Sequence, residues 1–141
     1  MILLVEDNPD DETLTRRALA KNGLANEIEV VRDGEEAVHF LFGEGRFTER
    51  DTSIQPQLIL LDLKLPKLDG IEVLRRIRAD ERTQLIPVVM LTTSDEEQDR
   101  IRSYSFHVNS FIRKPVDFSE FMKAIQQIGM YWLVLNEPPI S

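Results

Sequence analysis

Leu58-Ile59-Leu60-Leu61-Asp62-Leu63-Lys64-Leu65-Pro66-Lys67-Leu68-Asp69-Gly70 runs four apolar residues straight into a carboxylate and then into a turn. A continuous Leu/Ile run bounded by turn residues suits a strand buried on both faces. Asp62 then stands where that strand surfaces. In open α/β sheets, ligand sites gather at the carboxyl ends of strands. Asp62 is therefore the residue around which the rest of the chain is read.

Outward from it, other segments repeat the pattern. Ile2 to Val5 reads as a short buried strand, followed by the acidic turn Glu6-Asp7-Asn8-Pro9-Asp10-Asp11. Proline suits the first turn of a helix, and acids suit its N-terminus. That helix runs through Leu14, Ala18 and Leu19 to a stop near Asn22-Gly23. Glu27 to Val31 is a second strand, Asp33-Gly34 a turn, and Glu35 to Phe42 a second helix. Gly43 to Gln57 is polar and without period, which predicts a long surface loop.

Beyond Asp62, Asp69-Gly70 opens a third helix with Ile71, Val73, Leu74 and Ile77 inward and Arg75, Arg76 and Arg78 outward. Ile86 to Leu91 is a fourth strand ending in Thr92-Thr93-Ser94, with Ser94 placed to cap a helix at Asp95. Phe111 to Arg113 is a short fifth strand ending in Lys114-Pro115. Phe118, Phe121, Met122, Ile125, Ile128, Gly129 and Trp132 show helical spacing, and Pro138-Pro139 ends that helix. His39 and His107 fall in helical stretches and read as surface residues.

Strands alternating with helices imply right-handed βαβ units and a parallel sheet. The expectation is one α/β domain over residues 1–141, a five-stranded doubly wound sheet, with an extended C-terminal helix and tail from about 130 to 141. Every strand then delivers its carboxyl end to one edge, which collects Glu6, Asp7, Asp62, Thr92 and Lys114.

Composition bounds the function. The chain has 141 residues, 25 acids against 17 bases and a formal charge of −8. That argues against nucleic acid and for a cation site or a basic protein partner. No cysteine is present, which excludes disulfides and thiolate metal sites. No apolar run approaches the ~18 residues of a membrane span, and acids come too early for a signal peptide. A cytoplasmic protein is the default.

Taken singly, each residue of the edge has a plain structural reading. Glu6 and Asp7 can cap a helix, Asp62 can be a solvated strand end, Thr92 a cap and Lys114 an exposed cation. Together they pose a problem, because three acids at neighbouring strand ends repel one another. A hard divalent cation relieves that repulsion, and Mg²⁺ combines one or two carboxylates with waters and phosphate oxygens. A carboxylate beside such an ion can attack a phosphoryl group to give an acyl phosphate. Lysine and threonine then neutralise and hold the other phosphoryl oxygens.

This constellation resembles the receiver domain of two-component response regulators. The resemblance rests on Glu6-Asp7 after strand one, Asp62 with its D-x-x-[ML]-P-x-[ML]-D-G loop through Gly70, Thr92 after strand four and Lys114-Pro115 after strand five. It covers residues 2 to about 130. It implies the flavodoxin-like (β/α)5 fold with strand order 2-1-3-4-5. It also implies that Asp62 is the phosphoacceptor, with Asp7 a direct Mg²⁺ ligand, Glu6 assisting through water and the Lys64 carbonyl a further ligand. Thr92 and Lys114 would hold phosphoryl oxygens, Thr92 and Phe111 would act as switch residues, and Lys114-Pro115 would be cis. Such a protein turns over only its own phosphoryl group and is not an enzyme in the wider sense.

Two positions depart from the family pattern. Thr93 follows Thr92 where Ala or Gly is common, and Lys64 is a bulky cation at a position that tunes dephosphorylation. Both predict slow self-hydrolysis. No helix-turn-helix or basic stretch is seen, so the output is expected to leave through protein contacts.

The apolar tail from Met130 to Pro139 reads either as folded back on its own domain or as an interface through Tyr131, Trp132 and Leu133. With the long Gly43–Gln57 loop, it resembles the single-domain regulators paired with bacterial and cyanobacterial phytochromes. That resemblance implies a histidine kinase of the phytochrome type as donor and a homodimer through helix four, strand five and helix five.

Three rivals are weaker. A flavodoxin-type carrier needs a Ser/Thr/Gly-rich loop where Glu6-Asp7 stands. An aspartyl phosphatase carries a second acid where Lys64 stands. A phosphate-independent pseudo-receiver binding module would not need so complete a site. Gly43-x-Gly45 is too weak a signal for nucleotide binding.

Overall fold

Five short strands set the frame: β1 (Ile2–Val5), β2 (Ile28–Val31), β3 (Leu58–Asp62), β4 (Val88–Thr92) and β5 (Ser110–Arg113). The computed structural model describes residues 1–21, 23–24, 28–130 and 133. The strands are all parallel, in the order β2-β1-β3-β4-β5, as the sequence predicts. β1, β3 and β4 are buried at every residue, which explains why their sequences are continuous apolar runs.

Alternation along each strand feeds two separate cores. Leu3, Val5, Ile59, Leu61, Val88 and Met90 face one side, where they meet α2 (Gly34–Phe42), α3 (Gly70–Ala79) and α4 (Asp95–Arg102). Ile2, Leu4, Leu58, Leu60, Val89 and Leu91 face the other, where α1 (Pro9–Lys21) and α5 (Phe118–Gln127) lie.

Each helix follows a strand through a loop, and a side chain caps its start. Asn8 Oδ1 accepts from the N–H groups of Asp10 and Asp11. Asp33, Asp69, Ser94 and Asp117 accept from Glu36, Ile71, Glu97 and Glu120 in α2 to α5. These caps satisfy amides that the helices leave open, and they fix where the strand-to-helix loops turn.

Two glycines seat the loop that follows Asp62. Gly34 is the first residue of α2 rather than part of a turn before it. A Cβ there would lie 1.8 Å from the Leu68 carbonyl oxygen, and its N–H donates to Pro66 O at 3.2 Å. A Cβ on Gly70 would lie 2.3 Å from the Asp62 carbonyl oxygen. The 63–69 loop is thus held between two helix starts that only glycine lets come so close.

Other expectations change in the structure. The 43–57 segment is pinned, with a 3₁₀ turn at Gly45–Phe47. Phe47 packs edge-on against Phe40, and the Arg50 guanidinium donates to the carbonyls of Phe40, Leu41 and Ile54. Arg78 is not an outward cation. It donates to the carbonyls of Gln84, Ile86 and His107 and to Asn109 Oδ1, tying α3 to the loops before β4 and β5. His107 lies in that second loop, exposed, and not in a helix.

α5 stops at Gln127, with Ile128 as its C-cap and Gly129 at φ +73°, so the helical spacing outlasts the helix. Phe118, at its start, is exposed. Met130 and Leu133 fold onto the α1/α5 core, each 5% exposed. Leu133 therefore belongs to its own domain rather than to a free interface. Tyr131, Trp132 and the expected stop at Pro138-Pro139 lie outside the described residues, as do Asn22 and Glu27.

Candidate functional site

The sheet register brings the site together. Val5 pairs with Leu61, Asp62 with Leu91, and Thr92 with Arg113. The residues at these strand ends are therefore level, and Glu6, Asp62, Thr92 and Lys114 meet at one edge. Lys114 N–H donates to Thr92 O at 2.7 Å, and the Lys114-Pro115 bond is cis.

Carboxylate oxygens of Glu6, Asp7 and Asp62 lie within 4.8 Å of one another. Lys114 Nζ stands 2.8 Å from Glu6 Oε1, 2.9 Å from Asp11 Oδ2 and 3.0 Å from Asp62 Oδ2. Asp11 is a site residue that sequence reasoning missed. In the sequence it is one more acid at a helix start; its place in the first turn of α1 lets it reach Lys114.

Glu6 is fully buried, Asp62 is 6% exposed and Thr92 is fully buried, whereas Asp7 is exposed. Burial pushes the Glu6 carboxyl up to about 7; Asp62 adds to this, and Lys114 opposes it. For Lys114, burial acts to lower the pKa, but the adjoining carboxylates of Glu6, Asp11 and Asp62 outweigh it, and it is raised. The ammonium is therefore firmly charged.

One lysine is too little charge for this cluster. A like-charged pair at 4.8 Å costs about 3.5 kcal/mol at an effective dielectric of ~20. Glu6 Oε1 is buried and, despite its closeness to Lys114 Nζ, has no aligned hydrogen bond. A hard cation with oxygen ligands fits this donor set.

The rim of the site is also organised. Gln98 Nε2 donates to Thr92 Oγ1 at 3.3 Å. Glu97 accepts from the Thr93 N–H and hydroxyl and lies 3.3 Å from Lys64 Nζ. Burial works to raise the Glu97 pKa, but these donors outweigh it and hold the carboxyl below its ordinary value. Thr93 thus faces α4 through its hydroxyl. Phe111 is half-buried, with the Arg102 guanidinium 4.7 Å from its ring centroid. Glu97 and Gln98 were not singled out in the sequence; only their place in the first turns of α4 gave a signal.

A doubly wound parallel sheet with clustered acids, a buried hydroxyl and a shared ammonium at its carboxyl edge defines an α/β module suited to phosphoryl and divalent-metal chemistry. The chain belongs to the response regulator receiver domain family, whose model matches residues 2–126. It is a signalling protein of the two-component class, close to the regulators of phytochromes.

The bacteriophytochrome response regulator AtBRR is 54% identical, with a TM-score of 0.87 and 96% of each chain covered. The phosphorylated cyanobacterial phytochrome response regulator RcpA is 44% identical, with a TM-score of 0.74 over 94% of this chain and 92% of that one. Rcp1 of Synechocystis sp., in its Mn²⁺-bound form, is 40% identical, with a TM-score of 0.75 over 99% and 98%. Among the described residues, no helix is long and apolar enough to cross a membrane.

Proposed function

We propose that Asp62 accepts a phosphoryl group from the phosphohistidine of a sensor kinase of the phytochrome class. The observation that carries this reading is Asp62 Oδ2 at 3.0 Å from Lys114 Nζ, beside the Glu6 and Asp7 carboxylates. An Asp62 carboxylate oxygen forms the new bond to phosphorus as the histidine nitrogen–phosphorus bond breaks. Lys114 pairs with one phosphoryl oxygen, and the Thr92 hydroxyl donates to another once it leaves Gln98.

Asp7, Asp62 and the Lys64 carbonyl would hold Mg²⁺, with Glu6 assisting through water. Bound there, Mg²⁺ supplies positive charge against the developing phosphoryl charge. The Mn²⁺ in the name of the Rcp1 structure and the phosphorylated state in that of RcpA support the pairing of metal and phosphate. Phe111, under Arg102, is the aromatic whose packing changes with the state of Thr92.

The protein acts in the cytoplasm and signals by protein contact, as a homodimer through α4, β5 and α5. The names of AtBRR and RcpA support the phytochrome pairing. The dimer rests on the family resemblance and on Tyr131 and Trp132.

The test is intact mass after incubation with a small acyl-phosphate donor and Mg²⁺. A gain of one phosphoryl that is absent in Asp62→Asn supports the assignment. No gain with any donor, including a phytochrome kinase, would leave a phosphate-independent binding module.

A further inference from the structure

Glu97 is the buried carboxylate that the phosphoryl chemistry leaves unused. It stands three residues after the Ser94 cap of α4, where a glutamate ordinarily reaches back to the cap residue's own amide. It goes one residue further instead. Oε1 accepts from the Thr93 N–H at 2.8 Å and Oε2 from the Thr93 hydroxyl at 2.9 Å. Oε2 is also 3.3 Å from the ammonium of Lys64, which comes from a different loop.

Those three donors occupy a particular place. Asp62 is registered against Leu91, and Leu63 N–H donates to Leu91 O. Lys64 and Thr93 therefore stand two residues further along, just past the ends of β3 and β4 at the rim beyond the phosphoacceptor. A phosphoryl dianion on Asp62 has three oxygens that seek charge-assisted donors. Lys114 is already shared among Glu6, Asp11 and Asp62. A second cation at the rim is the Lys64 ammonium, and Glu97 pairs with it.

We propose that Glu97 is an internal competitor of the phosphoryl group, a resident anion that occupies Thr93 and Lys64 in the resting protein and yields them when Asp62 is phosphorylated. This rests on Asp62 being the phosphoacceptor. The first turn of α4 then reports on the site through a carboxylate exchange, and Glu97 sets how readily the phosphorylated state is reached. Glu97 acts on the site through Thr93 and Lys64, as a positioning residue.

The experiment is titration of the full chain in Mg²⁺ with the beryllium trifluoride anion, a phosphoryl mimic, followed by ¹⁹F and amide NMR. Glu97→Gln keeps an acceptor for Thr93 and removes the charge that competes. It should tighten the mimic by about two- to fivefold, the range open to a single screened charge pair. In a Lys64→Met background the same change should give less than about twofold, since the contested cation is gone. In the wild type, saturation should shift the Thr93 amide resonance.

Unchanged or weaker binding in Glu97→Gln overturns the proposal if that variant unfolds as the wild type does and Asp62→Asn abolishes binding. A Thr93 amide that stays in place at saturation overturns it as well. If the wild type does not bind the mimic at all, the phosphoacceptor reading itself fails, and this inference falls with it.

Discussion

Replacing Gly34 with alanine adds one methyl group where the structure has no room. The new Cβ would meet the Leu68 carbonyl oxygen at 1.8 Å, its carbon at 2.6 Å and the Leu68 Cβ at 2.7 Å. Two of these are backbone atoms, so no rotamer change relieves the contact. A normal carbon–oxygen contact needs roughly 1.5 Å more, and such overpacking costs about 1–3 kcal/mol. The shift also breaks the Gly34 N–H to Pro66 O bond, worth about 1 kcal/mol net. Alanine returns at most ~1 kcal/mol through its better helix propensity.

The net expectation is a loss of about 1–3 kcal/mol, hence a urea midpoint lower by about 0.5–1.5 M for a slope near 2 kcal/mol per M. Because the displaced loop begins at Asp62, phosphorylation by an acyl-phosphate donor should slow in the folded variant too. Propensity and packing predict opposite signs, which makes the assay decisive. An unchanged or higher midpoint would refute the idea that the close approach of α2 fixes the Asp62 loop. Gly129→Ala is the control: no atom of the described residues lies within 4 Å of its added Cβ, and only the strain of φ +73°, about 1 kcal/mol, should appear.

Arg78→Ala removes four hydrogen bonds at the foot of α3. Because water can reach part of the site, chemical denaturation should read about 1–3 kcal/mol lost. Leu133→Ala should cost about 2–3 kcal/mol if the chain after α5 is packed on the core; a change under about 0.5 kcal/mol would place it with ordinary surface substitutions. Mg²⁺ at about a hundred times its dissociation constant should raise stability by ~2.7 kcal/mol, measured as a shift of the thermal midpoint. Asp7→Ala should erase that increment, and its survival would remove Asp7 from the metal site.

The strand ends were legible because their signal is local. Each buried run stops at or beside a residue of the candidate site, and parallel topology carries Asp62, Thr92 and Lys114 to one edge. What was hidden depends on where side chains turn once elements pack. Gly34 resembles any turn glycine until Leu68 is placed against it. Arg78 resembles the exposed Arg75 and Arg76, which pair with Glu72, until three carbonyls converge on it. The period of α5 runs on through Ile128 and Gly129, yet a left-handed glycine ends the helix and turns Met130 inward. Asp11 was hidden for the same reason, since its role exists only once Lys114 reaches it from the fifth strand.

Lys114 joins three parts of the chain at a single nitrogen: the end of β1 through Glu6, the first turn of α1 through Asp11 and the end of β3 through Asp62. An ammonium has only three protons to donate, and three carboxylates already stand within 3.0 Å of this one, Asp62 in an aligned hydrogen bond. Any oxygen newly placed on Asp62 competes with these carboxylates for the same ammonium. Of these, Asp11 is the most solvent-exposed and the easiest to release to water. Chemistry at the third strand therefore has an address on the first helix as well as on the fourth, through a trade of bonds that needs no movement of the sheet.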